Sequence, residues 1–302
     1  MGALEGKVIA ITGSGRGIGR AVAEFCASEG AAVVVNDFGV SIDGQEPSSE
    51  VADEVVAAII ANGGRAVANA SSVTSMEGGA SIIQSAIDNF GRIDGVVSVA
   101  GILRERMFFN MSEAEFDPVV ETHLKGTFTV FRAAAPHFKA QGSGAFVAFT
   151  SGAYAGSVAQ ANYSAAKGGI VSLARSVALG MNKYGVRSNV IAPVAKSRMS
   201  GNVPFGIEMG EPEDVAPMVG FLLSDLAEGI TGQVYTANGG KIAVWNQPVE
   251  VREMRKDGRW TIEEIAGRID EVGQEELGML KVLAEREAAA KLAKETGTTP
   301  NQ

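Results

Sequence analysis

Short, fully apolar runs alternate with longer helical stretches along most of this chain, and that alternation leaves few folds open. Val8-Ile9-Ala10-Ile11 ends in glycines, residues 17–29 read as a helix, and Ala32-Val33-Val34-Val35 is a second buried run. The order recurs, with strand-like runs near 66–69, 94–99, 145–150, 187–192 and 233–237. Helical stretches lie between them, near 49–62, 76–90, 112–139, 161–183 and 213–225. Strands apolar on both faces belong in a parallel sheet covered by helices on each side. Right-handed crossovers make it an α/β fold, a single doubly wound parallel sheet whose site lies at the carboxyl ends of the strands.

The turn after the first strand reads Thr12-Gly13-Ser14-Gly15-Arg16-Gly17-Ile18-Gly19. Glycines let backbone approach a pyrophosphate, and the following helix N-terminus offers it unpaired amides. The spacing is Gly-x-x-x-Gly-x-Gly, and a tight strand-to-helix turn with no ligand is the plainer alternative. Asp37 closes the second strand. A carboxylate there can accept hydrogen bonds from ribose hydroxyls and would repel a phosphate, which favours NAD over NADP. It could equally be a strand-end Asp that opens a turn. Arg16 pulls the other way, because a basic residue in this loop could meet a phosphate.

Composition removes several function classes. Of 302 residues, 46% are hydrophobic and 20% charged, ordinary for a soluble globular protein. The net charge of −9 is a poor match to nucleic acid, which needs a basic footprint. One cysteine, Cys26, excludes an internal disulfide, and two histidines, His123 and His137, make a zinc cluster a poor fit. The N-terminus runs directly into a strand pattern without a secretory signal, and no apolar run approaches the ~20 residues that span a bilayer. A cytoplasmic protein without a membrane or nucleic-acid partner is expected.

Tyr163-Ser164-Ala165-Ala166-Lys167 places a phenol and an ammonium one helical turn apart on one face. A nearby ammonium favours the phenolate, so the pair can move a proton on or off a substrate oxygen. The spacing alone is common on solvated helices. Its position downstream of a glycine turn, with Thr150 and Ser151 just before it, gives it weight.

These motifs resemble those of the short-chain dehydrogenase/reductase family. The resemblance rests on the turn at 12–19, Ala100-Gly101, Tyr163-x-x-x-Lys167, Asn189, Pro193 and Asn238-Gly239-Gly240, and it covers residues 5 to about 242. It implies a single Rossmann-fold domain, a nicotinamide cofactor, no catalytic metal and a homo-oligomer, usually a tetramer. Val35–Gly39, Gly101–Arg106, His123–Gly126, Gln160–Tyr163 and Ser197-Arg198-Met199 are similar to one branch of that family. That branch includes the (3R)-hydroxyacyl-CoA dehydrogenase unit of peroxisomal multifunctional β-oxidation enzymes and bacterial relatives acting on acyl-CoA or steroid substrates.

Carried over by position, the resemblance implies that Tyr163 is the general acid/base. Lys167 would lower its pKa and hold the nicotinamide ribose, and Ser151 would bond the substrate oxygen. Gly13, Ser14, Arg16, Gly17, Ile18, Gly19, Asp37, Ser72, Val73, Ala100, Gly101, Pro193 and Ser197 would join Tyr163 and Lys167 in binding NAD, or less readily NADP. The family's serine usually stands thirteen residues before the tyrosine. That position is Thr150 here, so either hydroxyl could act. His123 replaces the family's Asn on the central helix, either as a relay member or as a packed histidine. Ser98-Val99 replaces the usual Asn before Ala-Gly, and Val194 the usual Gly after Pro193. Arg104, Arg106 and Lys196 are either contacts for an acidic substrate such as a CoA thioester or ordinary surface charge.

The expected activity is interconversion of a secondary alcohol and a ketone on a 3-hydroxyacyl-CoA or hydroxysteroid-type substrate. An NADPH-dependent 3-oxoacyl reductase and a catalytically weak cofactor-binding regulator are the alternatives. Residues 1–245 are expected to form the catalytic domain and 246–302 a helical C-terminal extension. In that extension Ile262, Ile265, Ile269 and Val272 make one stripe, and Lys291 to Gln302 read as disordered.

Overall fold

A computed structural model describes residues 2–39, 49–196, 209–275, 277–278, 280–285 and 288. Two compact units divide the chain, Met1–Trp245 and Asn246–Gln302. The first unit is built on one sheet of eight strands in the order β3-β2-β1-β4-β5-β6-β7-β8. The strands are β1 (Val8–Thr12), β2 (Ala32–Asn36), β3 (Arg65–Asn69), β4 (Gly95–Ser98), β5 (Gly144–Phe149), β6 (Val186–Pro193), β7 (Val234–Asn238) and β8 (Lys241–Val244). β1 through β7 pair in parallel. Every residue of β1, β2 and β4 is buried, as the unbroken apolar runs require.

Helices α1 (Gly17–Ser28), α2 (Glu50–Ala61), α3 (Met76–Phe90), α4 (Glu113–Val120), α5 (Gly126–Gln141), α6 (Ala161–Met181) and α7 (Ala216–Leu223) make the crossovers. The core separates into two layers, one on each face of the sheet. α1, α2 and α7 supply Val22, Val55 and Leu222 to one, and α3, α5 and α6 supply Ile82, Phe138 and Ile170 to the other. The chain runs β1-β2-β3 outward and then returns to β4 beside β1. The strand order therefore reverses between β1 and β4, where an open α/β sheet leaves a crevice for a ligand.

Two features depart from the sequence reading. β8 pairs antiparallel with β7 through the Gly239-Gly240 turn, with Gly239 at φ +52°. The single helix expected over 112–139 is broken. Between α4 and α5 one π-helical turn spans Glu121–Lys125, with Gly126 N–H donating to Glu121 O. In the second unit, α8 (Ile262–Arg268) starts with a capping box between Thr261 and Glu264. Its Ile262 is 81% exposed and Ile265 39%. Residues 289–302 lie outside the described residues.

Candidate active site

Each predicted site residue that the structure describes sits on or just beyond a strand's carboxyl end, on the first turn of α1 or α6, one turn further along α6, or on the π turn. After β1, Gly13 takes φ +64°, and a Cβ there would stand 2.7 Å from Ala100 Cα. The glycine turn therefore lies directly against the loop after β4. A Cβ on Gly19 would stand 2.0 Å from Gly13 O, so α1 closes on its own turn. Ser14 is fully buried and its Oγ donates to Ile11 O at 2.7 Å. Asp37 follows β2 by one residue. Its carboxylate accepts Gly15 N–H and Gly39 N–H, each at 2.8 Å, and so rests on the turn.

A dinucleotide fits this cradle. Arg16, the exposed N-cap of α1, makes no side-chain cap bond, and the first turn of α1 carries no acid. A Cβ on Gly17, at φ +51°, would meet nothing within 4 Å, and Ile18 is half-buried beside it. The N-terminal amides of α1 are left for an anionic group. Beyond β3, Ser72 Oγ lies 3.0 Å from Thr74 Oγ1. Val73 is buried and its carbonyl accepts from Thr129 Oγ1 at 2.6 Å. Pro193 ends β6, and Ser197 lies outside the described residues.

The chemistry-bearing side chains meet on the β4–β5 side of the crevice. Thr150 and Ser151 leave β5 as extended backbone, so their side chains diverge. Thr150 is 2% exposed, and its hydroxyl donates to Lys167 O at 2.9 Å, inside the protein. Ser151 opens a 3-10 turn, accepts Ala153 N–H at 3.2 Å, and its hydroxyl is close enough to that of Tyr163 to favour the phenolate. Tyr163 and Lys167 stand one turn apart on α6, with Nζ 5.4 Å from the Tyr163 ring centre. Lys167 is 4% exposed and its Nζ donates to Phe149 O at 2.7 Å.

The electrostatics differ from the simple expectation that Lys167 lowers the Tyr163 pKa. Burial pushes Tyr163 up to about 12, opposed by the neighbouring Ser151 hydroxyl, although the residue is only half-buried. Burial pushes Lys167 down to about 7. Desolvation penalises both charged forms, so this pair is held as a phenol beside an easily deprotonated amine.

His123 sits in the π turn at 1% exposure, its ring edge-on to Tyr163 with centres 5.2 Å apart. Its Nε2 lies 2.8 Å from Ile102 O, and its buried Nδ1 has no partner within the protein. Burial first, and Lys167 second, drive its pKa well below 6.5, so the ring is neutral. Gly101 is what admits it, since a Cβ there would stand 2.0 Å from His123 Cε1. Ala100-Gly101 thus joins the two halves of the site.

Hydroxyls hold this frame, and one of them, on Thr127, carried no sequence signal. Thr12 Oγ1 accepts Val99 N–H and Ala100 N–H at 3.2 and 3.3 Å, tying β1 to the loop after β4. Ser98 Oγ pairs with Thr127 Oγ1 at 2.9 Å, and Thr127 donates to His123 O at 2.7 Å. Where Ser98-Val99 replaces the usual Asn, hydroxyls tie β4 and its following loop to β1 and α5. Of the cations at the expected mouth, Arg106 pairs with Glu115 at 2.8 Å and Lys196 with Glu211 at 2.5 Å.

Comparison with known proteins agrees with this fold. A family model described as enoyl-(acyl carrier protein) reductase matches residues 13–241. A short-chain type dehydrogenase/reductase of Mycobacterium tuberculosis is 45% identical over 80% of this chain and 85% of its own. The hydroxyacyl-CoA dehydrogenase ChsB1 of the same species is 38% identical over 84% of each chain. The mouse peroxisomal multifunctional enzyme type 2 is 45% identical over 74% of this chain, a match covering only 30% of that enzyme's length. The crystal structure of a short chain dehydrogenase from Mycobacterium avium superposes with TM-score 0.82 at 42% identity, covering 91% of this chain and 97% of that one. The chain belongs to the short-chain dehydrogenase/reductase family, oxidoreductases that act on CH–OH donors with a nicotinamide cofactor.

Proposed function

We propose that this protein is an NAD-dependent dehydrogenase interconverting a secondary alcohol and a ketone on a 3-hydroxyacyl-CoA or hydroxysteroid-type substrate. The observation that carries the reading is Tyr163 one turn from buried Lys167 on α6, with the Ser151 hydroxyl beside it and the glycine turn against the loop after β4. When bound, the cofactor supplies the hydride acceptor or donor. The chain's own part is proton transfer and orientation. Ser151 Oγ holds the substrate oxygen, and Tyr163 gives its proton to that oxygen in ketone reduction and takes it back in alcohol oxidation. A phenol held in its protonated form is suited to the donating step. Lys167 Nζ is placed to hold ribose hydroxyls. His123, neutral and pinned, braces the Tyr163 ring rather than titrating.

Asp37 on the glycine turn supports NAD. Exposed Arg16 supports the second reading, an NADPH-dependent 3-oxoacyl reductase, as does the match to a family described as a reductase. The hydroxyacyl-CoA dehydrogenase among the relatives, matched over most of both chains, supports the thioester. A homo-oligomeric protein in the cytoplasm fits this reading.

The test is NADH consumption with a medium-chain 3-ketoacyl-CoA, run beside NADPH and beside a ketosteroid. Fast thioester turnover with NADH is expected. Steroid turnover alone would move the substrate class, and faster NADPH turnover would move the cofactor. Tyr163→Phe should lower kcat by on the order of 10²–10⁴-fold with NADH binding nearly intact. Near-normal turnover in that variant would remove Tyr163 from the reaction.

A further inference from the structure

Immediately before Tyr163 stands a polar side chain buried to 1% exposure, Asn162. Both of its donor hydrogens and its carbonyl oxygen are engaged. Nδ2 donates to Arg104 O at 2.8 Å and to Glu115 O at 2.7 Å, and Oδ1 accepts Tyr163 N–H at 2.7 Å. Three segments converge on it: the loop after β4, the first half of α4, and the first turn of α6. The first amides of a helix have no intrahelical acceptor. In α6 the N-cap, Gln160, makes no capping bond, and its amide reaches Glu105 at 2.6 Å instead. Asn162 therefore satisfies the Tyr163 amide that the cap leaves open.

The same loop is pinned at two further points. The His123 ring holds Ile102 O, and Arg106 N–H donates to Ala159 O at 2.8 Å. Ala159 takes φ +60°, the left-handed region that a Cβ disfavours, which a surrounding frame must enforce. Tyr163 sits inside this frame, with His123 against its ring and Asn162 on its backbone.

We infer that Asn162 is a positioning residue for Tyr163, locking the first turn of α6 to the loop after β4 so that the hydroxyl meets the substrate oxygen held by Ser151. The inference rests on Tyr163 being the acid/base. A misplacement of about 1 Å at a reacting group lowers rates on the order of 10²-fold. Asn162 touches neither substrate nor cofactor in this role, so its loss falls on kcat and spares binding.

Full-length wild type, Tyr163→Phe, Asn162→Ala and Asn162→Ser are compared by thermal melting, NADH fluorescence titration and steady-state kinetics on the 3-ketoacyl-CoA. Both Asn162 variants are expected to melt cooperatively, bind NADH within about twofold of wild type and keep KM. For Asn162→Ala, kcat should drop on the order of 10²-fold, with Asn162→Ser between it and wild type. A kcat within about threefold of wild type overturns the inference. So does a loss of activity that follows loss of fold or of NADH affinity in both variants. If Tyr163→Phe retains turnover or wild type has none, the dehydrogenase reading fails first. The Asn162 inference is then read from the near-ultraviolet phenolate titration, each protein minus its Tyr163→Phe counterpart. Asn162→Ala should shift the Tyr163 ionisation, and an unshifted titration overturns the inference.

Discussion

A single buried tyrosine cannot be a base at neutral pH on its own, and its surroundings decide which way its proton moves. Here burial outweighs the neighbouring Ser151 hydroxyl, so Tyr163 stays protonated and Lys167 titrates near 7. The lysine has a consequence for stability. Unfolded, it keeps its proton to its ordinary 10.5, whereas folded it sheds it at about 7. Between those values the unfolded state binds more protons, so this group makes stability rise with pH. Lys167→Met should flatten the rise in Tm from about pH 7 to 10, and an unchanged slope would mean the ammonium is solvated in the fold. Asp37 acts at the same scale. Its carboxylate rests on the amide of Gly15, and in the NAD reading proposed above it would repel a 2′-phosphate. Asp37→Ala should narrow the NADH-over-NADPH preference by about 10-fold or more, read as the ratio of the two kcat/KM values. A fixed ratio would show that Asp37 does not read the ribose.

Between elements, the decisive fit is that of the loop after β4 against the π turn. Gly101 leaves room for the His123 ring, and the extra residue in the helix turns that ring toward Tyr163. Single π turns recur at functional sites because they re-aim a side chain within an otherwise regular helix. Gly101→Ala puts a Cβ into a buried ring that Ile102 and Tyr163 already confine. It should cost about 1–3 kcal/mol of stability and most of the turnover. Combining it with His123→Asn makes space, and the double variant should recover part of the lost Tm. Additive losses in thermal melts would show that the two positions do not meet.

At the scale of the molecule, the boundary between the two units falls one residue beyond β8, at Trp245. Trp245 belongs to the first unit. Its N–H donates to Val234 O at 2.9 Å, its indole N–H to Thr236 Oγ1 at 2.9 Å, and its ring packs on Tyr154 at 4.8 Å. Tyr154 lies in the 3-10 turn that Ser151 begins. We propose that residues 1–245 form a self-sufficient catalytic domain. A chain ending at Trp245 should keep its circular dichroism, NADH binding and turnover within severalfold. A chain ending at Val244 should melt lower by several degrees, since an aromatic pair contributes ~1 kcal/mol beyond its buried area. Unfolding of the 245-residue chain would make the extension part of the fold.

Periodicity and glycine placement determined the parallel sheet and the crevice, because each is set by local geometry, whereas most residues gathered there were named by the family resemblance. Fully apolar runs can only be central strands, and a glycine turn between strand and helix can only sit at a carboxyl end. β8 was not legible, because three of its four residues are exposed and it carries no buried pattern. The π turn has no local signature, since a helix absorbs one extra residue only when its neighbours demand it. Whether Thr150 or Ser151 faces Tyr163 is a matter of one residue in extended backbone, and a one-residue step reverses the side chain. Tertiary packing also decided the proton affinities of Tyr163, Lys167 and His123, because desolvation depends on what chain-distant segments bring around them. The sequence chose the participants. The packing of β5, α6 and the loop after β4 chose which of them touch and which of them carry charge.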